Sequence, residues 1–176
     1  MMMLKQVSLI FWTRLLGRLN KEMANNKVVS HDKLKKLREE TGAGIMDCRK
    51  ALQEANGVFS KAKEIIKSRY QEIAFEKAKR ETWEGLVSAY IHSNGKIGAM
   101  VTLLCETDFV ARTGDFGFLA KELAMQVAAM APADIKELLN QAYIRDPKIT
   151  VRELIKKVVG KTGENISVGE IKRMEI

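Results

Sequence analysis

Cysteine, histidine, proline and aromatic residues are all scarce in this chain, and each scarcity closes off a class of function. Two cysteines among 176 residues, Cys48 and Cys105, stand far apart with no C-x-x-C pair. They make no disulfide framework and fit a reducing compartment. The two histidines, His31 and His92, give no metal-ligand spacing. Spacing alone leaves a Cys–His nucleophile pair open, but nothing marks an activated thiol. Two prolines and twelve glycines argue against a low-complexity or disordered chain. Aromatics make up 6% and form no cluster with Arg or Lys of the kind that single-strand binders use. The apolar run Val7 to Trp12 is too short to span a bilayer.

What is present is a core-forming share of apolar residues, 46%, and a net charge of +8. The length suits one domain, or a small module plus a main domain. The charge favours an acidic partner surface or nucleic acid. It is spread along the chain and interleaved with Glu, so a solvated basic surface accounts for it as well as an RNA-binding patch does. Residues 1–22 are apolar and basic, with no acid before Glu22. A targeting presequence of mitochondrial type, an amphipathic surface helix, and residues added by an early start codon are all open readings. The ordinary polar segment from Met23 favours the last, or simple disorder across residues 1–29.

Four segments follow. Residues 30–70 read as three short helices. Ser30 caps the first, and Thr41-Gly42-Ala43-Gly44 ends it. The second runs from Ile45 to Asn56 and is closed by Gly57, and the third starts near Phe59. Residues 71–84 continue a mixed-charge run suited to an exposed helical linker. Residues 85–176 read as an α+β core. Leu86–His92 and Ile97–Glu106 flank Ser93-Asn94-Gly95-Lys96, and Asn-Gly predicts a tight hairpin in which both turn residues take positive φ. Val87, Ala89 and Ile91 then share a face with Gly98, Met100, Thr102 and Leu104. Leu86, Tyr90, Ile97, Ala99, Val101 and Leu103 form the other. Both faces are mostly apolar, which predicts that helices or another partner cover both. An amphipathic helix opens at Asp115 as its cap and carries Phe116, Leu119, Leu123, Val127 and Met130 up to Pro132. A short helix is expected at Asp134–Gln141, and Asp146-Pro147 resets the chain. Thr150-Val151-Arg152-Glu153 is a capping box for a helix that buries Leu154, Ile155, Val158 and Val159 and stops near Gly163. Ile166–Ile176 is a final strand, with a bulge at Gly169.

The most informative residues are Thr107-Asp108-Phe109-Val110-Ala111-Arg112. A large aromatic beside a carboxylate, in a short link between a strand and a helix, is poorly placed for a core. It is well placed to be pushed into something else.

With these elements placed, the chain resembles the bacterial elongation factor Ts family. Leu37-Arg38-Glu39-Glu40-Thr41-Gly42-Ala43-Gly44-Ile45-Met46-Asp47-Cys48-Arg49-Lys50-Ala51-Leu52, Cys105-Glu106-Thr107-Asp108-Phe109-Val110-Ala111-Arg112 and Gly163-Glu164-Asn165-Ile166 carry the likeness. The resemblance implies an α+β fold with an N-terminal ubiquitin-associated-like helical module. It implies a non-enzymatic, cytoplasmic guanine-nucleotide exchange factor for elongation factor Tu, in its GDP-bound or nucleotide-free state. It implies no cofactor, no metal, no specific nucleic acid and no membrane. On this resemblance Arg38, Ile45 and Met46 contact the G domain from the helical module. Asp108 and Phe109 act at the magnesium and phosphate side of the nucleotide, and Thr107, Val110, Ala111 and Arg112 position them. The alternatives are a basic nucleic-acid binder, or an adaptor that grips its partner without exchange activity. The chain departs from the family in three places. Only about Pro132 to Ile144 stands where a longer helical stretch is usual, Thr113 replaces a common Asn, and Ile45 replaces a Met.

Overall fold

A computed structural model describes residues 29–176, so the readings for residues 1–22 lie outside it. The chain divides into two compact units at residues 67 and 68. The elements are helices and a small antiparallel sheet, an α+β fold.

The first unit holds α1 (His31–Thr41), α2 (Ile45–Glu54) and the start of α3 (Phe59–Lys77). Ser30 stands at the cap position, but its hydroxyl makes no cap bond, a correction to the expected role. The end of α1 follows the glycine logic. Gly42 takes a left-handed φ of 68°, and its N–H donates to the Arg38 carbonyl at 2.7 Å. Thr41 ties off the turn, donating to the Leu37 carbonyl at 2.6 Å and accepting from the Ala43 N–H at 3.2 Å. The α2 helix stops short of Asn56, because Asn56 and Gly57 both turn left-handed, at φ 49° and 75°. Leu37, Cys48, Ala51, Leu52, Ala62 and Ile66 are buried. No breaker interrupts the charged run after the third helix begins, so α3 continues to Lys77 as one helix, and the remainder of 71–84 is not helical.

The second unit is built on a sheet of order β1-β2-β5: β1 (Glu84–Ile91), β2 (Ile97–Cys105) and β5 (Ile166–Glu175), all antiparallel neighbours. Val87 pairs with Thr102, Ala89 with Met100 and Ile91 with Gly98, so the face assignment holds. The turn differs from the expected one. The Gly95 N–H donates to the His92 carbonyl at 2.8 Å, and only Gly95 has positive φ, at 67°. Four loop residues relax the demand that Asn94 also turn left-handed. The bulge is where the phase shift puts it: Val101 pairs with Ile171 and Leu103 with Val168, leaving Gly169 and Glu170 opposite Thr102.

One face of this sheet packs on α5 (Gly114–Met130). Phe116, Leu119, Leu123 and Val127 meet Ala99, Val101 and Leu103 in a single core. Burying one such side chain stabilises by roughly 1.5–3 kcal/mol. Among the described residues no helix supplies the expected cover on the other face: Ile91 is 72% and Met174 71% exposed, with Val87 and Met100 also exposed. Alternation tells which residues share a face, not whether anything lies over it.

The cap of α5 is Thr113, not Asp115; the Thr113 hydroxyl accepts from the Phe116 N–H at 3.3 Å. Asp115 sits in the first turn and pairs with Lys161 at 3.0 Å. The helix ends at Met130, just before Pro132, and α6 (Ile135–Asn140) follows, capped by Asp134. A small hairpin, β3 (Ala142–Tyr143) and β4 (Asp146–Thr150), has no counterpart in the sequence reading. Its residues are held by buried polar groups of α5. Gln126 donates to the Ala142 carbonyl at 3.1 Å and accepts from the Ile144 N–H at 3.0 Å. Glu122 accepts from the Tyr143 hydroxyl and from Arg145 Nε at 2.6 Å. The expected capping box opens α7 (Val151–Thr162), and Gly163 ends it at φ 74°. Val151, Ile155, Val158 and Val159 are buried, whereas Leu154 is only half-buried.

Candidate functional site

The segment after β2 is not the plain link that the sequence suggests. Asp108–Ala111 forms a single helical turn, α4. Four residues carry too little periodicity to announce a helix, and so short a helix cannot hold itself against the cost of nucleation. Its stability comes from its ends. The Thr107 hydroxyl accepts from the Val110 N–H at 3.4 Å, and Asp108 lies in the first turn, where a carboxylate is favourable. At the far end the Thr113 hydroxyl donates to the Val110 carbonyl at 2.8 Å while capping α5. One threonine thus closes α4 and opens the next helix.

Within this turn the side chains diverge. Val110 is buried in the core under the sheet and α5, and anchors the turn. Phe109 points outward and is 77% exposed. Asp108 and Arg112, also exposed, form an i,i+4 ion pair at 3.0 Å, which in solvent contributes little to stability. Ala111 is half-buried against the core. The fold itself thus leaves the Phe109 ring in water, on a turn fixed by a buried neighbour.

The base of the turn is clamped from a distant part of the chain. Glu164 accepts from the Thr107 N–H at 3.0 Å and from the Thr107 hydroxyl at 2.7 Å. The Asn165 N–H donates to Glu106 at 2.6 Å, its amide donates to the Arg80 carbonyl at 2.6 Å, and Arg80 pairs with Glu106 at 3.1 Å. Burial pushes the Glu106 carboxyl up, but the Asn165 N–H and the Arg80 guanidinium outweigh it and hold the group below the usual carboxylate range. The Cys105 thiol donates to the Thr107 carbonyl at 3.1 Å. Burial pushes both Cys105 and Cys48 up, the opposite of an activated nucleophile.

A second outward-facing group lies in the helical unit. Ile45 and Met46 open α2 directly after the glycine turn and are 52% and 57% exposed. Arg38 is exposed in the last turn of α1. Cys48 is buried beneath this turn, its thiol toward the Ala43 carbonyl at 3.7 Å. Neither Ile45 nor Met46 packs inward. Among the described residues no group of three or more His, Cys, Asp or Glu side chains gathers as a metal site, and no helix is long and apolar enough to cross a membrane.

The family model described as Elongation factor TS matches residues 106–176, from the residue before Thr107 through β5 to Ile176. Elongation factor Ts of Fervidobacterium nodosum is 39% identical, over 84% of this chain and 98% of that protein. This chain belongs to the elongation factor Ts family. Elongation factor Ts of Thermotoga maritima is 42% identical, over 84% of this chain and 96% of its own length. The chloroplastic elongation factor Ts of Guillardia theta is 39% identical, over 84% and 89%. These are factors of translation elongation in protein biosynthesis, not enzymes. The match to the Fervidobacterium factor runs over 193 positions, more than the 176 residues of this chain, so that factor carries segments this chain lacks.

Proposed function

We propose that this member of the elongation factor Ts family is a guanine-nucleotide exchange factor for elongation factor Tu, acting in the cytoplasm by pressing Phe109 against the magnesium and phosphate side of the bound nucleotide. The observation that carries the reading is the exposed ring of Phe109 on a turn that is capped, anchored by Val110 and tied to Glu164. A ring held this way enters a neighbouring site at little conformational cost. The contacts of a diphosphate and its Mg²⁺ are exacting in geometry. An apolar wedge that displaces the side chains around them loosens the nucleotide without any covalent step. Asp108 beside the ring adds a carboxylate that competes for the same donors.

Release follows from differential affinity. The factor has to bind nucleotide-free elongation factor Tu more tightly than the GDP-bound form, since a ligand shifts an equilibrium only by that difference. Linkage makes the effect reciprocal, so incoming nucleotide expels the factor. Arg38, Ile45 and Met46 supply a separate grip from the helical module, which we read as residues 30–70 and ubiquitin-associated-like, with 71–84 linking it to the core of 85–176. Their exposure, with no inward role for Ile45 or Met46, supports that assignment. The test is release of labelled GDP from elongation factor Tu with and without this protein. Acceleration that depends on Phe109 is expected. A stable complex with an unchanged release rate would favour an adaptor instead, and salt-sensitive RNA binding without acceleration a nucleic-acid binder.

A further inference from the structure

The turn Gly163-Glu164-Asn165-Ile166 closes without help from the Glu164 carboxylate. Gly163 takes the left-handed conformation and its N–H donates to the Val159 carbonyl at 2.8 Å. The Glu164 N–H is met by the Thr162 hydroxyl at 3.4 Å. The carboxylate is therefore free for another task, and both of its oxygens go to Thr107, 57 positions earlier in the chain. One oxygen takes the Thr107 N–H, which fixes the peptide plane. The other takes the hydroxyl proton, which fixes the rotor and turns a lone pair toward the Val110 N–H. That second bond holds the hydroxyl in the rotamer that caps the first turn of α4, since it fixes which way the lone pair facing Val110 points.

The geometry points to Glu164 as a positioning residue for nucleotide release: acting through Thr107, it sets the direction in which Phe109 projects. This rests on the exchange reading above. Glu164 does not itself meet the nucleotide or its metal. Asn165 supports the same base from the adjacent position by holding Glu106 and the Arg80 carbonyl. A charged acceptor with two donors is a stronger tie than a neutral one, and nothing else among the hydrogen bonds described orients the Thr107 hydroxyl.

A double-mutant cycle between Glu164 and Phe109 tests this in the labelled-GDP assay, with elongation factor Tu as partner. Glu164→Ala should lower the maximal release rate at saturating factor by about tenfold, while the half-saturating concentration shifts by no more than about twofold. In a Phe109→Ala background the same substitution should have no further effect, since a ring that is absent cannot be misaimed. Glu164→Gln keeps one acceptor and should fall between, and it carries the same cycle if the alanine variant does not fold. Losses that add across the two sites, or a full rate in Glu164→Ala, would overturn the positioning role while leaving the exchange reading intact. An unchanged rate in Phe109→Ala alone would overturn the exchange reading, and this inference with it.

Discussion

Replacing Phe109 by alanine separates a functional aromatic from a structural one. In the free protein the ring is 77% exposed, so its removal forfeits almost no burial. Alanine is the better helix former by up to about 0.7 kcal/mol, which puts the net change in stability within about 0.5 kcal/mol of zero. In the complex the balance reverses. Full burial of a phenylalanine side chain is worth roughly 1.5–3 kcal/mol, and at 1.36 kcal/mol per tenfold in rate its loss should slow factor-driven GDP release by about 10- to 150-fold. The assay is stopped-flow release of labelled GDP from elongation factor Tu, with thermal unfolding of the same samples alongside. Val110→Ala is the control with the opposite pattern. That side chain is buried, so the change should lower the melting midpoint by an amount reflecting about 1.6 kcal/mol of lost burial. If Phe109→Ala lowers the melting midpoint as much as Val110→Ala does, the ring is structural and the wedge argument fails.

Three other substitutions follow from named contacts. Ile45→Asp places a charge on an exposed site, so the melting midpoint should hold while affinity for elongation factor Tu, read by calorimetric titration, drops at least about tenfold; parallel losses in both would count against a contact role. Tyr143 is pushed up by burial and by the Glu122 carboxylate, so its contribution to stability is full below the free phenol value of about 10 and is lost as pH rises beyond that through the raised folded value. Tyr143→Phe should flatten the fall in urea midpoint as pH rises above about 10, and an unchanged slope there would refute the assignment. Gly160→Ala should destabilise although it sits in a helix: the added Cβ would stand 2.3 Å from the Tyr70 ring, and overpacking of about 1–3 kcal/mol exceeds the roughly 1 kcal/mol gained in propensity. A raised melting midpoint would mean that Tyr70 moves aside freely.

Local chemistry was legible, and long-range partnership was not. The Gly42 stop, the Thr150–Glu153 capping box and the Gly169 bulge each follow from a few adjacent residues. The α5 cap was misread because Thr113 and Asp115 are both good caps two positions apart, and only packing chooses between them. The β3–β4 hairpin is too short to show alternation, and its anchors, Glu122 and Gln126, lie on what reads as an ordinary helix face. For the proposed site, an aromatic flanked by an acid between two regular elements singles out Phe109 as the candidate, and the ring is exposed as that reading requires. That it rides on a helical turn, and that Glu164 holds the base of the turn, came from contacts no local pattern encodes. Glu164 lies in the Gly163–Ile166 stretch that carries the family resemblance, and a carboxylate just after a glycine stop has no helix start of its own to cap, but neither signal names Thr107 as its partner.

Rigidity at this turn bears directly on how an exchange factor can work without chemistry. A flexible loop carrying Phe109 would have to be ordered on binding, and that cost would be drawn from the same interaction that has to loosen the nucleotide. Here the turn is already tied down in the free protein: Thr107 is held at its N–H, its hydroxyl and its carbonyl, and Val110 is sunk in the core. The exposed Asp108–Arg112 pair adds little to this and is easily broken by a competing partner. The division of labour is therefore physical. The buried and clamped residues set where the ring stands, and the exposed residues remain free to exchange water for a partner's surface.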